Sequence, residues 1–262
     1  MGWLRRITID SWRKDQPEGG GLLGGPANMQ AFVVLAVTAV VLTVQEYVGD
    51  RGTYERLWPF PGPGMDRWWE LRSFVWWAGW RIFGYVVIPL IAIACLPGER
   101  IRDYHLSPKG FFRHLVIYVG LFLLVLPVVF LASRTQEFRD TYPFYRAANR
   151  SQLDLWTWEL IYAAQFMALE FFFRGFLLQG LRKAFGANAV FVMIVPYCMI
   201  HYGKPMAETF GAIIAGLVLG SLAMRTRSIW GGVLIHVGVA ITMDVLAMRA
   251  CPPMGSTQAC GE

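Results

Sequence analysis

The sequence predicts an all-α fold, a polytopic bundle of about seven transmembrane helices. Two observations carry this. The chain has 262 residues, of which 55% are hydrophobic and only 16% charged, against about 25% charged in ordinary soluble domains. The charge deficit is also uneven, because long stretches carry almost none. Apolar runs of about 20 residues match the length a helix needs to cross the hydrocarbon core. They lack the apolar–polar alternation of a barrel strand, and lipid favours helices because backbone groups must be satisfied internally.

The runs fall at roughly 29–48, 75–96, 113–133, 155–180, 187–202, 207–224 and 228–248. Between the second and third, Leu96 to Phe112 holds Pro97, Arg100, Arg102 and Lys109 and reads as an interfacial segment. Residues 134–154 form a second polar connector with four arginines. The organisation is a polar leader over 1–28, three spans with their connectors over 29–154, a four-span core over 155–248 and a short tail over 249–262. No small-residue cleavage site follows the first apolar run, so no cleavable signal peptide is expected. Gly216 and Gly220, extended by Gly211 and Ala215, form a GxxxG series that predicts close helix packing.

Charge excludes one function class. The net charge of +6 sits in loops and tails, with only Arg81 and Arg174 placed inside spans. No basic patch is interleaved with aromatics, so the partner expected from the charge is the lipid bilayer, with no nucleic acid. Loops on the side of the N-terminus hold twelve Lys and Arg against ten on the other side. That leans toward an inside N-terminus. Four cysteines are too few for a disulfide scaffold. Cys95 and Cys198 lie in apolar runs, and Cys251 and Cys260 are placed to pair if the tail faces an oxidising compartment.

Ionisable groups inside a bilayer are expensive, so each suggests a function and a partner. Here they cluster late in the chain. The fourth span holds Glu159, Glu170 and Arg174, the fifth ends at His201, the sixth begins with Glu208, and the seventh holds His236 and Asp244. Glu170 and Arg174 are one turn apart with the glutamate first, the better order for an ion pair. Glu159 shares the face of Glu170 but is read as interfacial. A carboxylate with two histidines suits general-base activation of water and stabilisation of an oxyanion. The same three side chains, Glu170, His201 and His236, also make a His₂Glu set of the kind that holds Zn²⁺.

The series Glu170-Phe-Phe-Phe-Arg174-Gly175-Phe176, Tyr197-x-x-x-His201, then Arg227-Ser228-Ile229-Trp230 leading to His236 resembles the CPBP family. These are the CAAX-processing and bacteriocin-processing intramembrane proteases, or type II CAAX prenyl endopeptidases. The resemblance covers about residues 155–247, and the first three spans add no motif. The family's E-E-x-x-x-R pattern falls on Leu169, Glu170 and Arg174. Its aromatic-x-x-x-His pattern falls on Tyr197 and His201, and its H-x-x-x-N pattern on His236 and Ala240. Two departures follow: Leu169 stands where the family has its water-activating glutamate, and Ala240 stands where it has an asparagine. A myxosortase-like branch, which processes C-terminal anchors of exported proteins, is one home for such a chain.

The resemblance implies an intramembrane endopeptidase acting on a protein substrate near a C-terminal or membrane-anchored tail. The expected catalytic residues are Glu170, Arg174, His201 and His236, with Tyr197, Glu208 and Asp244 as auxiliaries. No cofactor is expected, Zn²⁺ being the alternative. The location expected is an integral, multi-pass protein of the cell inner membrane. The competing readings are an inactive family member serving as a scaffold or immunity factor, and a transporter. Against transport, the chain lacks matching halves with paired broken spans.

Overall fold

The computed structural model describes residues 25–62 and 64–250. Most of the leader and the Cys251–Cys260 tail lie outside the described residues. The chain forms α1 (Pro26–Tyr47), short α2 (Arg51–Leu57) and α3 (Trp69–Ile82), which passes through a widened π-type turn (Phe83–Val87) into α4 (Ile88–Cys95). Short α5 (Lys109–Arg113), α6 (Leu115–Ala132) and short α7 (Gln136–Thr141) follow. Then α8 (Gln152–Glu170) passes through a second π-type turn (Phe171–Leu177) into α9 (Leu178–Phe185). The chain ends in α10 (Ala189–Met199), α11 (Met206–Thr226) and α12 (Trp230–Ala250). Among the described residues the only β feature is an antiparallel bridge between Leu106 and Ser228.

The helical bundle is as expected, but the expected fifth span is shorter than a crossing. Among the described residues six stretches are long and apolar enough to cross a bilayer, and the fourth, Gln152–Met199, contains both the fourth and fifth expected spans. Gly186, at φ +56, ends α9. The next helix, α10, has 11 residues. At 1.5 Å per residue it rises about 16 Å, roughly half the hydrocarbon thickness. The chain then leaves helix at Ile200, inside the protein's own packing rather than in lipid.

Packing fixes directions. On α8 and α12, Trp158 meets Asp244, Phe166 stacks on His236, and Glu170 meets His236, so these helices run antiparallel. On α10 and α11, Val190 and Met193 press on Gly220 while Ile194 and Tyr197 press on Gly216. This is the close approach the GxxxG series predicts, made here within one chain. Gly211 has open space beside it and takes no part.

One end of the bundle joins the start of α1 to the 96–114 segment through Gln30 Nε2 and Tyr104 OH (3.3 Å). The same segment meets the start of α12, where Ile229 N donates to His105 O (2.9 Å) and Trp230 Nε1 donates to Leu106 O (2.9 Å). The opposite end carries α2, the 133–151 connector and the 200–205 loop. There Tyr142 OH and Lys204 Nζ each donate to Glu208, both at 2.6 Å.

Candidate functional site

The second π-type turn builds the site. Glu170 is the last residue of α8 and Arg174 lies inside the turn. Such wide turns inside helices occur frequently at functional sites. Both side chains are fully buried, and Arg174 Nη1 lies 3.1 Å from Glu170 Oε1. His236 Nδ1, from α12, reaches the same oxygen at 2.6 Å. These approaches are close but lie off the hydrogen-bonding directions, and Glu170 Oε2 has no hydrogen-bond partner among the described residues. The cluster therefore holds by proximity of opposite charge in a water-poor site, where attraction is strong.

Neighbours set each member. The Arg174 guanidinium lies 4.0 Å from the centre of the Tyr197 ring, a cation–π distance. Tyr197 OH bonds His236 Nε2 at 2.8 Å, so both nitrogens of His236 are engaged. Gly232 faces the Glu170 carboxylate so closely that a Cβ there would collide with it; one turn before His236, this small residue lets α12 approach. His105 Nδ1 donates to the backbone oxygen of Arg174 at 2.9 Å and braces the wide turn from outside.

A cavity of about 310 Å³ opens beside the cluster, at the small end of ligand cavities. Its inner wall includes Tyr162, Gln165, Phe166 and Leu169 of α8, and its far wall is residues 200–204. Arg51, Arg81, Phe144 and Lys204 also line it, and no carboxylate does. Leu169 thus faces the cavity, while Glu170 sits behind it in contact with His236. His201 lines the cavity and its Nδ1 donates to Tyr197 O at 2.8 Å. A carbonyl only accepts, so Nε2 carries the lone pair. Burial, with Lys204 adding to it, holds His201 down to about 4, so the ring is neutral at physiological pH.

The four expected catalytic residues thus meet through Tyr197, with Glu170, Arg174 and His236 in direct contact and His201 one residue away. The auxiliaries divide. Tyr197 is central. Glu208 is held by Tyr142 and Lys204, and Asp244 accepts from Trp158 Nε1 at 2.6 Å two turns away from His236. Glu159 is half-buried about 10 Å along α8 from Gln152. The His₂Glu metal set is not assembled: among the described residues no three His, Cys, Asp or Glu side chains group closely enough to hold an ion.

Sequence reasoning missed Gln165, Phe166, Arg81 as a cavity residue, and the brace from His105. Phe166 precedes Glu170 by four residues and Gln165 precedes Leu169 by four, so helical spacing could have placed the first near Glu170 and the second on the face of Leu169. Nothing in the sequence announces the contact from His105, which spans 69 positions.

The family model described as Type II CAAX prenyl endopeptidase Rce1-like matches residues 151–242. That segment runs from the start of α8 into α12 and contains every member of the cluster except His105. No curated protein and no solved structure matches the chain.

Proposed function

We propose, from the premise that residues 151–242 belong to the CPBP family of CAAX-type intramembrane proteases, that this chain hydrolyses a peptide bond in a membrane-anchored protein tail. The observation that carries the reading is the Glu170–His236–Arg174 cluster beside a cavity within a membrane-spanning bundle. Water in the cavity attacks the scissile carbonyl, and its proton passes to the Glu170–His236 pair with Glu170 as final acceptor. Arg174 holds that carboxylate in place. As the tetrahedral intermediate collapses, the carbon–nitrogen bond breaks and the same proton goes to the leaving amine.

In this reading the oxyanion role expected of the histidines passes to another side chain. His201 offers only a lone pair to the cavity, suited to orienting water, and His236 does not line the cavity, its Nδ1 being turned to Glu170 Oε1. Gln165, on the α8 wall beside Phe166 and Leu169, is a cavity-lining side chain whose amide N–H groups make no hydrogen bond among the described residues. Gln165 is the oxyanion donor in this reading. The cavity's cations favour an anionic tail. Arg81 donates to Tyr85 OH and pairs with no carboxylate among the described residues, which leaves it available to a C-terminal carboxylate.

The test is cleavage of membrane-anchored peptides with free C-termini by the reconstituted chain. Wild type should cleave them in the presence of a chelator, and Gln165→Leu should lower kcat by about 10²-fold, as for loss of one oxyanion donor. Activity that vanishes in chelator and returns with Zn²⁺ would overturn the metal-free mechanism. Wild type that binds such peptides without cleaving them is the scaffold outcome.

The cavity mouth lies at the 200–204 loop, and the inside-positive lean puts that end outside the cell, in the bacterial setting the inner membrane implies. Single cysteines at Lys204 and Arg225, in a background without native cysteines, should label from opposite sides, position 204 from outside. Arg225 replaces its neighbour Thr226, which is buried and bonded to Tyr118. Labelling of position 204 only from the cytosol reverses the orientation.

A further inference from the structure

A second pocket, of about 390 Å³, lies at the opposite end of the bundle from the cavity mouth. Its wall comes from three places: the 98–107 segment, the end of α9, and Arg227 just past α11. Four cations line it, Arg102, Arg182, Lys183 and Arg227, against two acids, Glu99 and Asp103. Lys183 is already paired with Glu99. The three arginines have no carboxylate partner among the described residues; Arg227 Nη1 donates only to Gln179 Oε1 at 3.2 Å. Like charges therefore face one small space with one acid, Asp103, left to balance them.

The pocket is built rather than a chance meeting of surface arginines. Its floor is His105, only 2% exposed, with Nε2 buried and unpartnered; the Gln179 side chain lies alongside but outside hydrogen-bonding geometry. His105 and Arg227 both adopt left-handed backbone conformations, at φ +62 and +54. They are the only non-glycine residues among those described to do so, and both line this one pocket. Strained backbone of this kind persists where surrounding structure holds it, often around ligands. Span ends from α4, α9 and α11 place the pocket at the membrane–water boundary, where basic pockets between helices take lipid headgroups.

We propose that this pocket binds a phosphate group, esterified or free, with Arg182 and Arg227 gripping the phosphate and His105 Nε2 accepting from a hydroxyl on the same ligand. The planar guanidinium fork matches phosphate oxygens, and a neutral His105 whose Nδ1 donates to Arg174 O can only accept at Nε2. Phosphatidylglycerol carries both features in one headgroup, and a protonated free phosphate carries them in one ion.

The test uses the full chain in detergent with two probes, inorganic phosphate by titration calorimetry and phosphatidylglycerol against phosphatidylcholine by native mass spectrometry. The double variant Arg182→Gln, Arg227→Gln should weaken binding at least about tenfold, given the strength of guanidinium–phosphate bonds. Arg134→Gln, an exposed arginine at the other end, should leave it unchanged. Phosphatidylglycerol bound in preference to phosphatidylcholine identifies the lipid headgroup as the source; phosphate bound without lipid preference identifies the free anion. Either result with loss in the double variant supports the site. Binding of neither probe, or equal binding by wild type and double variant, overturns it.

Discussion

Glu170→Gln is expected to lower cleavage by about 10²–10⁴-fold, the usual contribution of a positioned general base, while the protein still inserts and purifies as a single species. Glutamine keeps the shape of the side chain and leaves an acceptor oxygen near Arg174 Nη1, which lies 3.1 Å from Oε1 in the native pair. What it loses is the ability to take a proton. Cleavage rates and gel filtration on the same preparation separate the two effects. A fully active variant would move the base elsewhere, and the structure narrows where. Glu208 is committed to Tyr142 and Lys204. Glu159, half-buried with Oε2 unpartnered, would be the next residue to test.

Much of this site was legible in the sequence because ionisable groups are conspicuous in an apolar background. Cost marked Glu159, Glu170, Arg174, His201, Glu208, His236 and Asp244 alike, and the family pattern singled out Glu170, Arg174, His201 and His236, which the fold brings near Tyr197. The span count was less legible. Residues 187–202 are apolar enough to read as a full span, yet Gly186 turns the chain and α10 stops after half a crossing. Hydropathy registers the apolar run but not where a helix ends. The roles of the histidines were not legible either, since they depend on which nitrogen meets the Tyr197 carbonyl or hydroxyl. Leu169 is the instructive case. Its position in the motif suggested a lost base, and the structure places it on the cavity wall with Glu170 one residue behind, against His236. Side chains one apart on a helix point about 100° apart, so Glu170 and Leu169 face different surroundings.

Arg174→Met should cost about 3–5 kcal/mol of stability, the penalty for leaving one member of a buried ion pair without its partner. Arg174 and Glu170 are both fully buried, and the bundle around them is aromatic, with Phe172, Phe173 and Phe176 inaccessible to solvent. Methionine fills much of the arginine's volume, so the loss is of charge more than of packing. The companion double variant Glu170→Gln, Arg174→Met removes both charges and should recover most of that stability while remaining inactive, because the two residues are coupled and their effects do not add. Arg174→Lys keeps the charge but gives up the flat stacking on Tyr197 and should fall between. Denaturant unfolding in detergent reads all three variants. A single variant as stable as wild type, or a double variant no better than Arg174→Met, would show that the pair does not hold the wide turn together. With the expected order, the buried ion pair is what holds the π-type turn in place.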